Sequence, residues 1–160
     1  MFVRPIETAD APGLSALLRQ IEQFKPDEVT VAEELIEASI RDPRGTGYET
    51  LVALDEQAGQ ERVVGYVCFG PTPMTAATWD LYWIAVSPAL QGKGLGKRLY
   101  ASFADAIRAR GGRQVRIETS SQEIYAATGG FYERLGFELA GKLRDFYAVG
   151  DDLLIFYRVI

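Results

Sequence analysis

Apolar residues recur along the chain with two different periods, which divide it into strands and helices. Short apolar or alternating segments predict strands at residues 2–6, 48–54, 62–69, 79–86, 114–119, 137–143 and 153–159. Apolar positions three or four residues apart predict helices at residues 10–24, 31–40 and 128–135, with another from Leu95 to the Gly111–Gly112 pair. The order of these elements predicts an α/β protein, with a mixed central sheet of about six or seven strands and flanking helices.

The connections between the predicted strands indicate how those strands pair. The polar segment Asp55–Gln60 predicts a hairpin loop, and therefore an antiparallel pair, between strands 48–54 and 62–69. The strands at 79–86 and 114–119 are joined through a helix, and such a long crossover predicts parallel neighbours in one sheet. Residues 144–152 are expected to connect the last two strands.

Length and composition predict one folded domain over residues 1–160. Of the 160 residues, 48% are hydrophobic and 24% are charged, as in ordinary globular proteins. The net charge of −5 argues against a broad nucleic-acid surface, so no nucleic-acid partner is expected. The first residues lack the apolar core of a signal peptide, and glycine and proline interrupt residues 63–79. We therefore expect a cytoplasmic protein with no membrane partner.

The chain contains no histidine and a single cysteine, Cys68. This composition excludes Ser–His and Cys–His nucleophilic pairs, an intramolecular disulfide and a cysteine cluster for zinc, so no metal is expected. Cys68 lies in the apolar run 63–69, where we favour a small buried side chain over a nucleophile. Glutamate, aspartate, tyrosine, lysine or water must therefore move protons in any catalysis.

A glycine-rich segment, Gln91–Arg98, separates the apolar strand 79–86 from the helix that begins near Leu95. Glycines at 92, 94 and 96 allow a tight turn with uncovered N–H groups, and the helix dipole adds partial positive charge there. Lys97 and Arg98 oppose that dipole by roughly 0.3–1 kcal/mol each, which suggests that an anion belongs beside them. An ordinary glycine-rich connection with solvated lysines is the alternative interpretation.

The glycine spacing argues against two common nucleotide-binding motifs. A dinucleotide fingerprint needs its third glycine where Lys97 stands, and a Walker loop needs serine or threonine where Arg98 stands. An NAD-binding oxidoreductase is therefore the less favoured class, although Glu118 lies about 20 residues beyond the loop, as a ribose-binding acid would.

Two motifs together resemble one family. The first is Gln91-x-x-Gly94-x-Gly96 after Ile84-Ala85-Val86-x-Pro88, and the second is Phe131-Tyr132-Glu133-Arg134-Leu135-Gly136-Phe137 further along the chain. The combination is similar to the GNAT superfamily of acyl-CoA-dependent N-acyltransferases, and the resemblance covers nearly the whole chain in element order. It implies one N-acetyltransferase domain over residues 1–160, whose sheet contains a splayed pair of parallel strands.

The resemblance implies that acetyl-CoA is the acyl donor and binds along the second half of the central strand and the glycine loop. The residues to which it assigns this binding are Ile84, Ala85, Val86, Gln91, Gly92, Lys93, Gly94, Leu95, Gly96, Lys97 and Arg98. The loop amides would hold the pyrophosphate, and the pantetheine arm would pair with backbone exposed where the two strands splay apart. The amide of Val86 would donate to the thioester oxygen as negative charge grows on it.

Two side chains match catalytic positions of the family. Tyr132 matches the tyrosine that protonates the departing thiolate, with a packed core aromatic as the alternative. Glu118 resembles the carboxylate that ribosomal-protein N-terminal acetyltransferases use as a base, usually through water, with a solvated strand-end charge as the alternative. The separation between the two is 14 residues (132 − 118), slightly longer than in those enzymes.

The segment between these two positions departs from the family pattern. Tyr125 stands where an asparagine is common, and Ser120-Ser121-Gln122-Glu123 forms an unusual connection after Glu118. Ser120, Ser121 or Tyr125 is expected to replace the asparagine's hydrogen bond to the cofactor arm. The altered segment also leaves open a protein that kept the fold and lost turnover, as a coenzyme A-binding sensor or interaction module.

Acceptor recognition in the family usually involves the first two helices, the central strand and the final hairpin. By position, the resemblance points to Phe24, Asp80, Tyr82 and Tyr147, with Arg144 and Asp145 as candidate charge partners. The hypothesis is direct acetyl transfer from acetyl-CoA to a primary amine of a small molecule or peptide within a ternary complex. The sequence identifies neither the acceptor nor the oligomeric state, and a homodimer is left open.

Overall fold

The structure is a computed structural model that describes residues 1–57 and 59–160. Within them, seven strands form one sheet: β1 (Phe2–Pro5), β2 (Glu49–Gln57), β3 (Gln60–Pro71), β4 (Thr78–Val86), β5 (Gln114–Ser120), β6 (Glu138–Ala148) and β7 (Asp151–Val159). The helices are α1 (Ala11–Leu18), α2 (Pro26–Arg41), α3 (Pro43–Thr46), α4 (Leu95–Arg108) and α5 (Ala126–Arg134). No helix in the described ranges is both long enough and apolar enough to cross a membrane.

The sheet has the strand order β1-β2-β3-β4-β5-β7-β6. β4 and β5 are parallel, whereas β1–β2, β2–β3, β5–β7 and β6–β7 are antiparallel. The parallel register pairs Thr78, Trp79 and Asp80 with Gln114, Val115 and Arg116, after which β4 continues to Val86 and β5 to Ser120. The predicted mixed α/β sheet, with its parallel pair formed by the two strands on either side of α4, is confirmed.

The chain divides into two compact units. Unit 1 comprises Met1–Gly70 and Leu81–Ala106, and unit 2 comprises Pro71–Asp80 and Ile107–Ile160. β4 therefore contributes residues to both. One domain over residues 1–160 stays a prediction.

Unit 1 is built around apolar side chains of α1, α2, β2 and β3. Its buried cluster includes Leu14, Leu17, Leu18, Ile36, Val52, Leu54, Tyr66 and Cys68. α4 packs closely against β3 at Gly65 of that strand. A Cβ atom at Gly65 would lie 2.9 Å from the carbonyl oxygen of Ala85 and 3.0 Å from Leu99 Cδ1. Glycine at this position therefore allows strand and helix to approach without a clash.

Unit 2 is built around β5, β7 and α5. Val115 and Ile117 alternate with more exposed neighbours along β5 and are both buried, as expected for one covered face of a strand. Arg110 lies over the ring of Trp79, with the guanidinium carbon 4.5 Å from the ring centroid. A cation over an aromatic face adds to the packing at the start of β4.

The boundaries of the first two helices differ from the prediction. The predicted helix 10–24 was too long, because α1 ends at Leu18, although the apolar spacing continues to the buried Ile21. The predicted helix 31–40 was too short, because α2 begins at Pro26. Proline is favoured in the first helical turn and keeps the residue before it extended, so it ends one segment and starts the next.

Both predicted hairpin loops were too long. β2 and β3 stay paired as far as Gln57 and Gln60, so the loop is shorter than Asp55–Gln60; of that segment, Ala58 lies outside the described residues. The last two strands run to Ala148 and from Asp151, so residues 144–148 extend β6 instead of forming a connection. Charged residues on exposed strands carry no apolar period, which is why the sequence pattern ended both strands early.

Candidate active site

The loop before α4 has the tight-turn geometry that its glycines predict. Gly92 and Gly94 have φ angles of 73° and 84°, in the left-handed region that favours glycine. A Cβ atom built at either glycine would have no heavy atom within 4 Å among the described residues. The loop therefore presents uncovered backbone at the two positions where a side chain would be most strained.

α4 begins directly after this loop, and its first turn adds donors and charge. Arg98 N donates to Gly94 O at 3.1 Å. Among the described residues, the amides of Leu95, Gly96 and Lys97 have no carbonyl partner one turn earlier, as at any helix N-terminus, and the dipole gives them partial positive charge. Two amides earlier in the loop are bonded, since Gln91 N donates to Pro88 O and Lys93 N donates to Leu90 O, both at 3.4 Å. Leu95 is buried and anchors the turn, whereas the side chains of Lys97 and Arg98 are exposed. Both cations are therefore accessible to an anion at the loop.

The end of β4 is tied to the same loop. The side-chain Nε2 of Gln91 donates to the carbonyl oxygen of Val86 at 3.3 Å. Ile84 and Val86 are half-buried, and Ala85 is buried. The segment Ile84–Val86, whose backbone the resemblance assigns to the coenzyme A arm, thus lies in unit 1 and leads into the glycine loop.

Four half-buried aromatic side chains of unit 1 form two ring pairs. The ring centroids of Phe24 and Trp83 lie 5.1 Å apart at 88°, and those of Tyr48 and Tyr82 lie 5.2 Å apart at 65°. Phe24 and Tyr82 are among the residues predicted for the acceptor, whereas Tyr48 and Trp83 were not predicted from the sequence. The adjacent pair Tyr82-Trp83, directly before Ile84–Val86, was the available signal for Trp83.

In unit 2, Glu118 belongs to a chain of charged groups. Arg116 Nε donates to Asp80 Oδ1 at 2.6 Å, and Arg116 Nη1 lies 3.3 Å from Glu118 Oε1. Asp80 is buried, whereas the Glu118 side chain is 42% exposed. Buried Asp80 therefore orients Arg116, which in turn contacts the accessible carboxylate. Arg116 was not predicted from the sequence, because its partner Asp80 lies 36 residues away along the chain. The acceptor role of Asp80 stays a prediction, since this carboxylate already accepts from Arg116.

The connection after β5 is held by two buried aspartates at the start of β7. Ser120 Oγ donates to Asp151 Oδ1 at 2.5 Å, and Gln122 Nε2 donates to Asp151 Oδ2 at 2.8 Å. Ser121 Oγ accepts from Asp152 N at 2.8 Å, and Ser121 N donates to Asp152 O at 2.9 Å. The two serine hydroxyls are thus bonded inside unit 2, which is an alternative to the cofactor contact expected of them. Asp151 was missed because nothing in its local sequence marks it.

Tyr132 lies in an aromatic cluster of unit 2. Its ring centroid lies 5.7 Å from that of Phe131, 5.8 Å from Phe137 and 6.0 Å from Phe156, and the residue is 5% exposed. Burial raises the pKa of the Tyr132 phenol, so it keeps its proton throughout the neutral range. The contacts support a packing role and the retained proton suits a proton donor, so both interpretations stay open.

Tyr125 and Tyr147 complete the proposed site residues of unit 2. Tyr125 is half-buried and directly precedes α5. Tyr147 is 50% exposed and contacts Phe146 edge-to-face, with centroids 5.0 Å apart. Asp145, a candidate charge partner, has a φ of 52°, and its Oδ1 accepts from Gly150 N at 2.7 Å. Asp145 therefore shapes the turn between β6 and β7.

A cavity of about 410 Å³ lies elsewhere in unit 1, between α1 and β3. Its lining includes Arg4, Asp10, Leu17, Val63 and Ser87, and the described residues around it include none of those proposed for the site. Arg4 Nη1 and Nη2 donate to Asp10 Oδ2 and Oδ1 at 2.7 and 3.0 Å, and this contact raises the pKa of Arg4. The buried charge of the cavity is therefore already paired.

Cys68 is fully buried in unit 1, as its apolar surroundings predict. Its exposure is 0%, and burial raises the pKa of its thiol to about 12. Because the thiolate is the nucleophilic form, a thiol with this pKa is inert at neutral pH.

Comparison with known proteins identifies the family. Residues 46–139 match the family described as "Acetyltransferase (GNAT) domain". A crystal structure from Desulfovibrio desulfuricans, described as a GNAT-family acetyltransferase, is 38% identical and superposes with a TM-score of 0.91 over 99% of this chain and 98% of that chain. The match therefore covers more than half of the sequence and nearly all of the fold.

Other solved structures share the fold at lower identity. An aminoglycoside 6'-N-acetyltransferase complexed with coenzyme A is 19% identical, with a TM-score of 0.76 over 99% of this chain and 97% of that chain. The ribosomal-protein-S18-alanine N-acetyltransferase from Escherichia coli is 22% identical, with a TM-score of 0.74 over 99% and 93%.

A curated relative matches a shorter segment. The mycothiol acetyltransferase of Beutenbergia cavernae is 37% identical over 62 residues, which are 39% of this chain and 20% of that protein. The matched segment thus spans about a fifth of that relative. Together with the glycine loop at the start of α4, the domain match shows that this chain belongs to the GNAT family of acetyltransferases.

Proposed function

We propose that this GNAT-family enzyme transfers an acetyl group from acetyl-CoA to a primary amine of a small molecule or peptide. The observation that carries the proposal is the loop before α4, where two left-handed glycines in open surroundings meet a helix N-terminus with two exposed cations. Its amides and dipole suit the pyrophosphate of coenzyme A. The coenzyme A complex of a fold relative supports the choice of donor.

The residues of this region fit coenzyme A in three respects. Gly92 and Gly94 leave space where a Cβ atom would crowd a phosphate. Lys97 and Arg98 supply positive charge beside a diphosphate. The backbone of Ile84–Val86 offers an extended edge with which an amide-rich arm can pair. Acetyl-CoA, when bound, supplies an activated thioester acyl group.

Two groups of the protein are assigned separate roles in acetyl transfer. We assign the Val86 N–H to the thioester oxygen, where it donates as negative charge grows. Glu118, oriented by Arg116, accepts the proton of the attacking amine, directly or through water. These assignments rest on the family resemblance and on the ion pair between Arg116 and Glu118.

Tyr132 is assigned to the departing sulfur. A phenol's ordinary pKa of about 10 already exceeds a thiol's pKa of about 8.5. Burial raises the pKa of Tyr132 further, so a hydrogen bond from the phenol to the sulfur is favoured over complete loss of its proton. The thiolate would then take its proton from solvent, and the proton that Glu118 accepted from the amine would return to solvent.

Direct transfer is favoured over an acyl-enzyme. Cys68 is buried with its pKa raised to about 12, and the chain has no histidine to activate another nucleophile. If incubation with acetyl-CoA alone left an acetyl group on Cys68, as intact-mass and peptide mass spectrometry would show, direct transfer would be wrong.

The function is tested with a thiol-release assay that contains the full chain, acetyl-CoA and a panel of primary amines. We expect amine-dependent release of coenzyme A, with the acetylated amine formed in equal amount by mass spectrometry. Calorimetric binding of acetyl-CoA without release across the panel would instead favour the coenzyme A-binding sensor. Neither binding nor release would contradict the proposal altogether.

A further inference from the structure

A row of polar side chains crosses one face of the sheet in unit 2. The strand registers place Asp80 of β4 beside Arg116 of β5. They also place Tyr157 of β7 between Arg116 and Glu138 of β6. Residues that lie directly opposite each other on neighbouring strands share a face of the sheet. The proposed base Glu118 lies two residues after Arg116 on the same strand, so it shares that face as well.

Two contacts connect the buried end of this row to the accessible carboxylate of Glu118. Arg116 Nε donates to Asp80 Oδ1 at 2.6 Å, and Arg116 Nη1 lies 3.3 Å from Glu118 Oε1. The exposed fraction of the side chain rises from 7% at Asp80 to 42% at Glu118. Asp80 is therefore held within the fold, whereas the carboxylate of Glu118 is open to solvent.

The geometry of the guanidinium couples the two contacts. A guanidinium is planar and its N–H groups point in fixed directions, so a bond that fixes Nε also fixes Nη1. A buried carboxylate left without its cation is strongly destabilising, which keeps Arg116 at Asp80. The residue opposite Glu118 on β7 is Ile155, whose side chain offers no hydrogen bond. The position of the Glu118 carboxylate therefore depends on Asp80 through Arg116.

The sharing of Arg116 also balances charge. An arginine paired with one carboxylate alone favours the charged form of that carboxylate and so makes it a poorer proton acceptor. Here the formal charges of Asp80, Arg116 and Glu118 sum to one negative charge. Elsewhere in the row, Tyr157 Oη donates to Glu138 Oε2 at 3.2 Å. The negative charge that is left over in the group of three is therefore carried by its accessible member, Glu118.

We infer that Asp80 and Arg116 are positioning residues for Glu118 in the transfer reaction. Arg116 holds the Glu118 carboxylate in place. Asp80 fixes the guanidinium and offsets its charge, so that Glu118 keeps its capacity to accept the proton of the attacking amine. The inference rests on the proposed function, which assigns that proton to Glu118. It gives Asp80 a role other than binding the acceptor.

The first test measures steady-state thiol release by Asp80→Asn. The acceptor is whichever of 2-phenylethylamine, kanamycin, spermidine and a tetrapeptide beginning with alanine gives the wild type its highest kcat/KM. We expect kcat to fall by about tenfold, while KM for the amine and KM for acetyl-CoA stay within about threefold. A tenfold rise in KM for the amine at unchanged kcat would show that Asp80 binds the acceptor and would overturn the inference.

A matched variant controls for lost stability. Asp10 is an equally buried partner of an arginine, with Arg4 Nη1 2.7 Å from its Oδ2 and a side-chain exposure of 6%. It lies in unit 1 and has no assigned part in the reaction. We expect Asp10→Asn and Asp80→Asn to lose similar stability in chemical denaturation, but kcat of Asp10→Asn to stay within about twofold. Equal falls in kcat would assign the effect to stability and would overturn the inference.

The second test is a double-mutant cycle with Glu118→Gln, which should itself lower kcat by up to about a hundredfold. If Asp80 acts through Glu118, Asp80→Asn should change kcat by less than about twofold in the Glu118→Gln background, against about tenfold in the wild type. Arg116→Lys, which keeps a cation for Asp80 but lacks the fork that reaches both carboxylates, should give the same pattern. It replaces Asp80→Asn in the cycle if that variant does not fold.

The outcomes separate the inference from the function on which it rests. A tenfold fall in kcat in both backgrounds would show that Asp80 acts independently of Glu118 and would overturn the inference, while acetyl transfer and the base would stand. Full turnover in Glu118→Gln would remove the base, and the inference with it, but would leave acetyl transfer as the function. Donor binding without thiol release from any amine would contradict the proposed function itself.

Discussion

The loop before α4 and the connection after β5 use their polar groups in opposite ways. In the loop, Gly92 and Gly94 leave backbone open and the nearby cations are exposed. In the connection, Ser120 and Gln122 direct their donors inward to the buried Asp151. The comparison shows how the proposed binding loop differs from a structural clamp, since the loop leaves cations and glycine backbone exposed and the clamp pairs its polar groups internally.

The contrast extends to the two units that contain these segments. The glycine loop and the strand segment proposed to bind the donor lie in unit 1, whereas unit 2 holds Tyr132, Glu118, Asp151 and Asp152, together with Ser120, Ser121 and Tyr125, the candidates for a contact with the donor arm. We therefore expect changes at the loop to alter donor affinity. Changes at Tyr132, Glu118 or Asp151 of unit 2 are expected to alter turnover or stability and to leave donor affinity as it is.

Replacing Tyr132 by Phe is expected to have the largest effect. Loss of the phenol's hydrogen bond to the departing sulfur should lower kcat by about a hundredfold, as for the loss of one donor to developing negative charge, while the Kd for acetyl-CoA stays within about twofold. A steady-state or stopped-flow assay of thiol release measures kcat, and calorimetry measures Kd. Turnover equal to that of the wild type would remove Tyr132 from the mechanism and leave it a packing residue.

The pH dependence of kcat in the wild type is a second test of the role assigned to Tyr132. Burial raises the pKa of Tyr132, so the protonated phenol persists past the ordinary tyrosine pKa of about 10. We therefore expect no fall in kcat due to this residue between about pH 7 and pH 10. A decline in that window that disappears in Tyr132→Phe would contradict the assignment.

Replacing Asp151 by Ala tests the structural clamp. The change leaves the Ser120 hydroxyl and the Gln122 amide without their acceptor, which should lower the free energy of unfolding by about 2–3 kcal/mol. Chemical denaturation measures this loss, and Asp151→Asn, which keeps one acceptor oxygen, should lose less. If folded Asp151→Ala bound coenzyme A about tenfold more weakly, the connection would belong to the donor site after all.

Alkaline pH should destabilise the protein through Cys68. Its folded pKa of about 12 lies above the ordinary value, so the contribution to stability is complete below about pH 9 and is lost as pH rises from there toward 12. The free energy of unfolding should fall by up to about 1.4 kcal/mol per pH unit. Cys68→Ala should flatten this slope between about pH 9 and 10, and an unchanged slope would assign the loss to other groups.

The smallest effects are expected at Lys97 and Arg98. Each change to Gln should weaken coenzyme A binding by about three- to fivefold, more at low salt, because a cation beside the diphosphate is lost. The same changes should stabilise the unliganded protein by about 0.3–1 kcal/mol, since they remove a cation from the first turn of α4. Arg41→Gln, in the last turn of α2, controls for net charge. Unchanged binding in both loop variants would contradict their assignment.

Local rules account for the parts of the molecule that the sequence predicted well. The glycines at 92 and 94, the apolar strand before them and the four-residue spacing after them each specify backbone within a few residues. The crossover through α4 then fixed the parallel pair. Much of the backbone of the proposed donor region could therefore be predicted from the sequence.

Interactions between distant segments account for what the sequence could not predict. Arg116 donates a hydrogen bond to Asp80, 36 residues away in sequence, and Ser120 donates one to Asp151, 31 residues away. Nothing in the spacing of either pair marks them, because side-chain partners are set by strand order and register. The same holds for Tyr48 and Tyr82, which the fold of unit 1 brings to 5.2 Å.

The central claim, that the loop before α4 binds coenzyme A, is tested most directly by calorimetric titration of two matched glycine variants. Gly94 and Gly150 have φ angles of 84° and 82°, and a Cβ atom at either would meet no heavy atom within 4 Å among the described residues. Alanine therefore strains both turns similarly. We expect Gly94→Ala to weaken coenzyme A binding by at least about tenfold and Gly150→Ala to leave it within about twofold. Equal affinities in the two variants, or no binding by the wild type, would contradict the account.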